Sequence, residues 1–158
     1  MKNESHAAFM REVLALAQEN IAQGGGPFAA LVVRAGRVIA RGQNRVTAQH
    51  DPTAHAEVMA IRAACAALGD FQLTDCDLYS SCEPCPMCLG AIYWARPRAV
   101  YYAATREDAA AAGFDDALIY QELSLAPADR RIPMQALLSE EGRTVFVHWE
   151  QASGKQPY

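Results

Sequence analysis

The sequence predicts an α/β domain with helices on both faces of a sheet. Two observations carry this: short β-rich runs alternate with helical patterns after residue 28, and a further helix-period segment precedes them. A third, the absence of any linker, repeat or low-complexity segment beyond alanine-rich helices, makes residues 1–158 a single domain. A chain of this length buries about 70% of its unfolded surface without disulfide staples.

The elements follow in order. Phe9, Val13, Leu14, Leu16, Ala17 and Ile21 recur at helical spacing, and "QGGGP" ends that helix. "FAALVVRAGRVIARGQN" gives two β-rich runs around Ala35-Gly36, a hairpin. Thr53 reads as the N-cap of "AHAEVMAIRAACAAL", and Gly69 closes that helix. "CDLYSS" reads as a strand, "PMCLGAIYWA" as a helix opened by proline, and "AVYYAA" as another strand. "TREDAAAAGF" reads as helical. Beyond about residue 115 the signal weakens, with one clear stretch near Val145, Phe146 and Trp149.

Charge narrows the function. The formal net charge is −4, and the 14 basic residues are scattered with no run longer than Arg130-Arg131. Phosphate recognition needs clustered cations, so a nucleic-acid partner is not expected. The charged, amphipathic N-terminus lacks a signal-peptide core, and no stretch approaches the apolar length of a membrane span. A cytoplasmic location is expected, where five cysteines serve as ligands or buried thiols in preference to disulfides.

The stretch "SCEPCPMCLGAIYW" concentrates the chemistry. Pro84 keeps Glu83 extended, and Pro86 suits a first helical turn. Cys85 and Cys88 then share one face of a helix N-terminus, which favours thiolates and makes half of a zinc site. Cys82 lies across an extended segment that spans up to about 10 Å and reads as a buried strand-end residue. Were it a ligand, the site would be a closed, structural Cys₃His knot.

"DPTAHAEVMA" supplies the other half. In mid-helix His55 and Glu57 would point about 200° apart. In a first turn, where side chains lean toward the N-terminus, both can converge on one ion. His55, Cys85 and Cys88 give three ligands and leave a fourth position for water, the open coordination of a catalytic zinc. Glu57, beside the ion without ligating, is placed to carry the water proton to a leaving group. A redox pair at Cys85 and Cys88 would leave His55 and Glu57 without a task. Cys65 and Cys76 lack partners at ligand spacing, as do His6, His50 and His148.

The order H-x-E then P-C-x-x-C is the signature of zinc nucleobase deaminases. With "GGPFAA", "GQN", "DPTAHAEV", "AIRAAC", "SCEPCPMCLGAIYWARP", "YYAA", "AGFDD" and "IY", covering most of residues 24–120, the chain resembles the bacterial guanine deaminases of the cytidine-deaminase-like superfamily. The resemblance implies a three-layer α/β/α fold around a mixed five-stranded sheet, one Zn²⁺ per subunit, and guanine converted to xanthine and ammonia. It implies a homodimer whose C-terminal segment, about residues 122–158, is exchanged between subunits.

By position, the resemblance makes Asn44, Phe28, Trp94, Ala56 and Tyr158 substrate-binding residues and Asp116 the carboxylate that meets the departing amino group. An asparagine amide offers a base edge both donor and acceptor, and aromatic faces suit any flat heterocycle. The family's usual Gly after "GGPF" is Ala29 here, which would tighten the pocket floor. Two alternatives stay open at this point. One is a deaminase of guanosine or another amino-heterocycle such as a pterin or triazine. The other is a Cys₃His zinc module serving as an interaction domain.

Overall fold

Strand β1 (Ala29–Arg34) lies at the centre of the fold because every residue but its last is buried. β2 (Arg37–Gln43) pairs with it antiparallel across Ala35-Gly36, whose φ values of 48° and 75° make the two-residue turn that matches strand twist. The register slips between Val32 and Val33, so Ile39 is an extra residue and β2 carries a bulge. β3 (Cys76–Cys82) runs antiparallel on the other side of β1, and β4 (Ala99–Ala104) runs parallel to β3. The sheet order is β2-β1-β3-β4. Asp77, buried at the start of β3, accepts two hydrogen bonds from the Arg98 guanidinium at 2.9 and 2.6 Å, fixing where β4 begins.

The computed structural model describes residues 2–158, which form two compact units, residues up to 116 and residues 117–158. In the first, side-chain alternation along β1 builds two cores. Ala29, Leu31 and Val33, with Tyr79 of β3, face helix α1 (Lys2–Ala22) and its Val13 and Ala17. Ala30 and Val32 face the opposite way, onto Ala56, Ala60 and Ala64 of α3 (Ala56–Leu68) and Ile92 and Ala95 of α4 (Pro86–Ala95). A short helix, α2 (Val46–Gln49), joins β2 to α3. Leu31, Leu73 and Leu78 are fully buried, each contributing about 1.5–3 kcal/mol. This is the expected α/β/α arrangement.

Three expectations are corrected. The sheet has four strands among the described residues, not five. After β4 the chain turns helical, because Thr105 and Asp108 form a reciprocal capping box that starts α5 (Arg106–Ala111). Thr53 is not the N-cap of α3. Its N–H and hydroxyl both donate to Asp51 Oδ1, at 2.8 and 2.7 Å, and the cap position falls to His55. Ala29 does not floor the pocket: alternation turns its side chain toward α1, opposite to α3.

The second unit holds α6 (Ala117–Leu123), a 3-10 turn (Pro127–Asp129) and α7 (Ser139–Gln151). Arg130 ties its first part together by donating to the carbonyls of Glu122 and Leu125. No residue of these three elements is buried, and Ile132, Leu137, Leu138 and Phe146 are strongly exposed. No described helix is long and apolar enough to cross a membrane.

Candidate metal centre

His55 and Cys85 occupy the N-cap positions of α3 and α4. Both have extended backbones (φ −69°, ψ 155° and φ −66°, ψ 167°), and neither side chain caps its helix. Both side chains are thus left to meet each other, His55 Nδ1 against Cys85 Sγ, at two helix N-termini, the positive ends of their dipoles. Cys88 follows Cys85 by one turn and is fully buried. Glycine at 42 makes the approach possible. A Cβ there would meet Ala56 O at 2.2 Å and Ala60 N at 2.5 Å, so the first turn of α3 rests directly on β2.

The three side chains converge. His55 Nδ1 is 3.5 Å from Cys85 Sγ and 3.5 Å from Cys88 Sγ, and the three ligand atoms lie within 4.8 Å of one another. A tetrahedral ion with zinc–sulfur bonds of about 2.3 Å and zinc–nitrogen bonds of about 2.0–2.1 Å has an S···N edge of about 3.5 Å. The donor set therefore fits zinc in chemistry and spacing.

Electrostatics agrees. Cys85 is held down to about 4 by the hydrogen bond from Cys88 and by His55, against the opposing effect of burial. Cys88 is pushed up by its bond to the Cys85 thiolate, by burial and by Glu57. His55 is raised, chiefly by its contact with Cys85. The metal-free cluster thus keeps a proton that a divalent cation displaces on binding.

Cys82 is not part of the cluster. Buried at the end of β3, its thiol contacts Thr105 O at 3.4 Å, and burial raises it to about 11. A closed Cys₃His knot is therefore not what these residues build. Cys65 and Cys76 stand apart as well, and His6 contacts the Tyr79 hydroxyl at 2.6 Å. All five cysteines are free.

Glu57 is buried beside the cluster. Oε1 accepts a 3.0 Å hydrogen bond from Ser80 Oγ and Oε2 a 3.3 Å bond from Cys88 Sγ, while burial raises its pKa. Ser80 was missed in the sequence, yet alternation from Cys76 and Leu78 places it on the α3 face of β3. Glu83 fixes the approach to Cys85: its N–H donates to Ala104 O and its carboxylate accepts from Arg106 N.

The expected substrate residues divide. A Cβ on Gly26 would lie 3.2 Å from Asn44 Cγ and 3.4 Å from the Phe28 ring, so both side chains flank the same glycine. Phe28 meets Phe114 edge-on, centroids 4.9 Å apart, which draws in the "AGFDD" loop. Asp116, in that loop, is raised first by burial and then by the negative charge of Cys85, so it lies within electrostatic reach of the cluster. Ala56 is fully buried in the core on the α3 side, so little more than its backbone can face a ligand. Trp94 lies six residues beyond Cys88 on α4, about 120° around the helix, and is 61% exposed. Tyr158 belongs to the second unit, where it is 74% exposed.

Comparisons with known proteins agree with this site. Over 155 residues the chain is 53% identical to guanine deaminase of Bacillus subtilis (strain 168), covering 98% of this chain and 99% of that one. The X-ray structure of guanine deaminase from Bacillus subtilis superposes with a TM-score of 0.95, covering 97% of this chain and 98% of that one at 53% identity. The guanine deaminase of Nitrosomonas europaea gives a TM-score of 0.67 at 42% identity, covering 69% and 64%. The model of the cytidine and deoxycytidylate deaminase zinc-binding region matches residues 3–104, which include every residue of the cluster. The chain thus belongs to the zinc-binding cytidine and deoxycytidylate deaminase family, with His55, Cys85 and Cys88 as its metal cluster.

Proposed function

We propose that this protein hydrolyses guanine to xanthine and ammonia. The observation that carries the reading is a three-ligand cluster at zinc spacing with a buried carboxylate 3.3 Å from one of its sulfurs. Likeness over nearly the whole chain to a guanine deaminase selects the substrate within the family.

Zinc, when bound, supplies the Lewis acidity that makes water nucleophilic near neutral pH. The residues of the chain do the rest. Glu57 takes the proton of the attacking water and returns it to the nitrogen that leaves from C2. Ser80 keeps one carboxylate oxygen fixed, so the other remains on the metal side. Asn44 meets the purine edge with its amide, and Phe28 provides a flat wall. Asp116 accepts from the amino group and helps it depart as ammonia. Ala56 contributes through its backbone beside His55.

The reading includes a homodimer that exchanges residues about 122–158, with Trp94 and Tyr158 contributing to the assembled site. Two features support it: helices of the second unit in which no residue is fully buried, and exposed Leu89, Tyr93 and Trp94 on α4. A cytoplasmic location suits five free cysteines.

The test is zinc-replete protein assayed with guanine and guanosine side by side, following ammonia release and the ultraviolet spectrum. Turnover of guanine is expected. An unchanged guanine spectrum refutes the substrate, and preference for guanosine assigns the nucleoside instead.

A further inference from the structure

We infer that Asn20 is a positioning residue that fixes Asn44 through the glycine loop. The inference rests on the reading of Asn44 as a purine contact. Asn20 stands in the last turn of α1, and none of its surface is exposed. An asparagine in a helix ordinarily faces water or caps an end; this one is turned inward and bridges two segments. Its Nδ2 donates to Gly26 O at 2.8 Å and to Asn44 O at 3.0 Å, while its backbone carbonyl accepts from Gly25 N at 2.8 Å. One residue thus holds the loop before β1 and the end of β2 together.

Neighbouring geometry depends on this grip. Asn44 N donates to Phe28 O at 3.0 Å, extending the β1–β2 pairing by one step, and Asn44 Oδ1 accepts from Val46 N at 3.3 Å. Gly25 has no room for a side chain, because a Cβ would meet Asn20 Nδ2 at 2.4 Å. Gly26 faces the other way, against the Asn44 amide and the Phe28 ring. The two glycines therefore wrap the Asn20 amide on one side and flank the purine-facing residues on the other.

The amide has one workable orientation. Two carbonyl oxygens require the NH₂ end, since a flipped amide would set oxygen against oxygen. Oδ1 is left buried with no hydrogen-bond partner.

The test is a double-mutant cycle on guanine turnover, with zinc content and thermal midpoint measured for every variant. Asn20→Asp keeps the shape but removes both donors; if it fails to fold, Asn20→Ser takes its place. Gly25→Ala disturbs the same contact from the loop side. Each is expected to retain zinc and lower kcat/KM by about 10–100-fold, mainly through KM, the range typical of groups that orient a contacting residue. In an Asn44→Ala background the Asn20 change should cost less than about threefold more, because coupled residues are not additive.

Full multiplication of the two losses overturns the inference, as does an effect confined to kcat through a smaller folded fraction. If Asn44→Ala is costly while the Asn20 and Gly25 variants stay within about threefold of wild type, positioning fails and the Asn44 reading survives. If Asn44→Ala itself changes kcat/KM by less than about threefold, the Asn44 reading fails and the Asn20 role falls with it.

Discussion

Replacing Glu57 with Gln isolates the proton-carrying step. The amide matches the carboxylate in size, so Ser80 Oγ can still donate to its Oε1 across the present 3.0 Å. The three metal ligands are untouched. Removed is the ability to take and return a proton, which is worth about 10²–10⁴ in rate, or about 2.7–5.5 kcal/mol of barrier. Stability should move the other way. Burial raises the pKa of Glu57, so its contribution in the metal-free protein is full below the unfolded value near 4.5 and is lost as pH rises through the folded value. A neutral amide avoids that loss at pH 7. Stripped of metal, the variant should melt at or above the wild-type midpoint at neutral pH and fall to or below it under acid conditions. Ammonia release from guanine, with zinc measured on the same sample, provides the assay. Turnover within tenfold of wild type at full zinc content refutes the proton-carrying role.

Other outcomes follow from the same geometry. Cys82→Ser should keep stoichiometric zinc by elemental analysis, while Cys88→Ser should lose it, since Cys82 lies outside the cluster with its thiol on Thr105 O and Cys88 is 3.5 Å from His55 Nδ1. Gly42→Ala forces a Cβ onto Ala56 O, so it should lower stability by at least about 1–3 kcal/mol in denaturant titration and weaken zinc affinity by moving the start of α3. Zinc affinity should fall with acidity. Cys88 is raised and binds metal only after losing a proton, which costs about tenfold per pH unit; below the raised value of His55 the slope should approach about a hundredfold per unit. Competition with a chromophoric chelator between pH 8 and 5 reads that slope, and a flat profile contradicts the ligand set.

The parts of the fold that could be read from sequence are those where local chemistry and tertiary demand agree. α4 begins at Pro86 as the proline predicts, and β3 and β4 follow their apolar runs. The capping rule failed at α3, because the hydroxyl of Thr53 is taken by Asp51 and the cap position holds a metal ligand. That is where local rules are expected to break. The expectation that Ala29 tightens the pocket floor fails because period-two alternation along β1 turns its side chain to the α1 side. Asn20 was not legible, since a polar residue in an amphipathic helix reads as surface until Gly26 and Asn44 are brought to it. Residues 117–158 are harder to read because their elements are short or interrupted, seven residues in α6 and three in the 3-10 turn, and only α7 is long enough for its apolar face, with Val145, Phe146 and Trp149, to stand out.

X-ray absorption at the zinc edge reaches the central claim most directly. An open site predicts two sulfurs at about 2.3 Å and two lighter atoms at about 2.0–2.1 Å, one of them exchangeable with an added anion. Three sulfurs in that shell, or zinc absent from protein that still releases ammonia, would contradict the account.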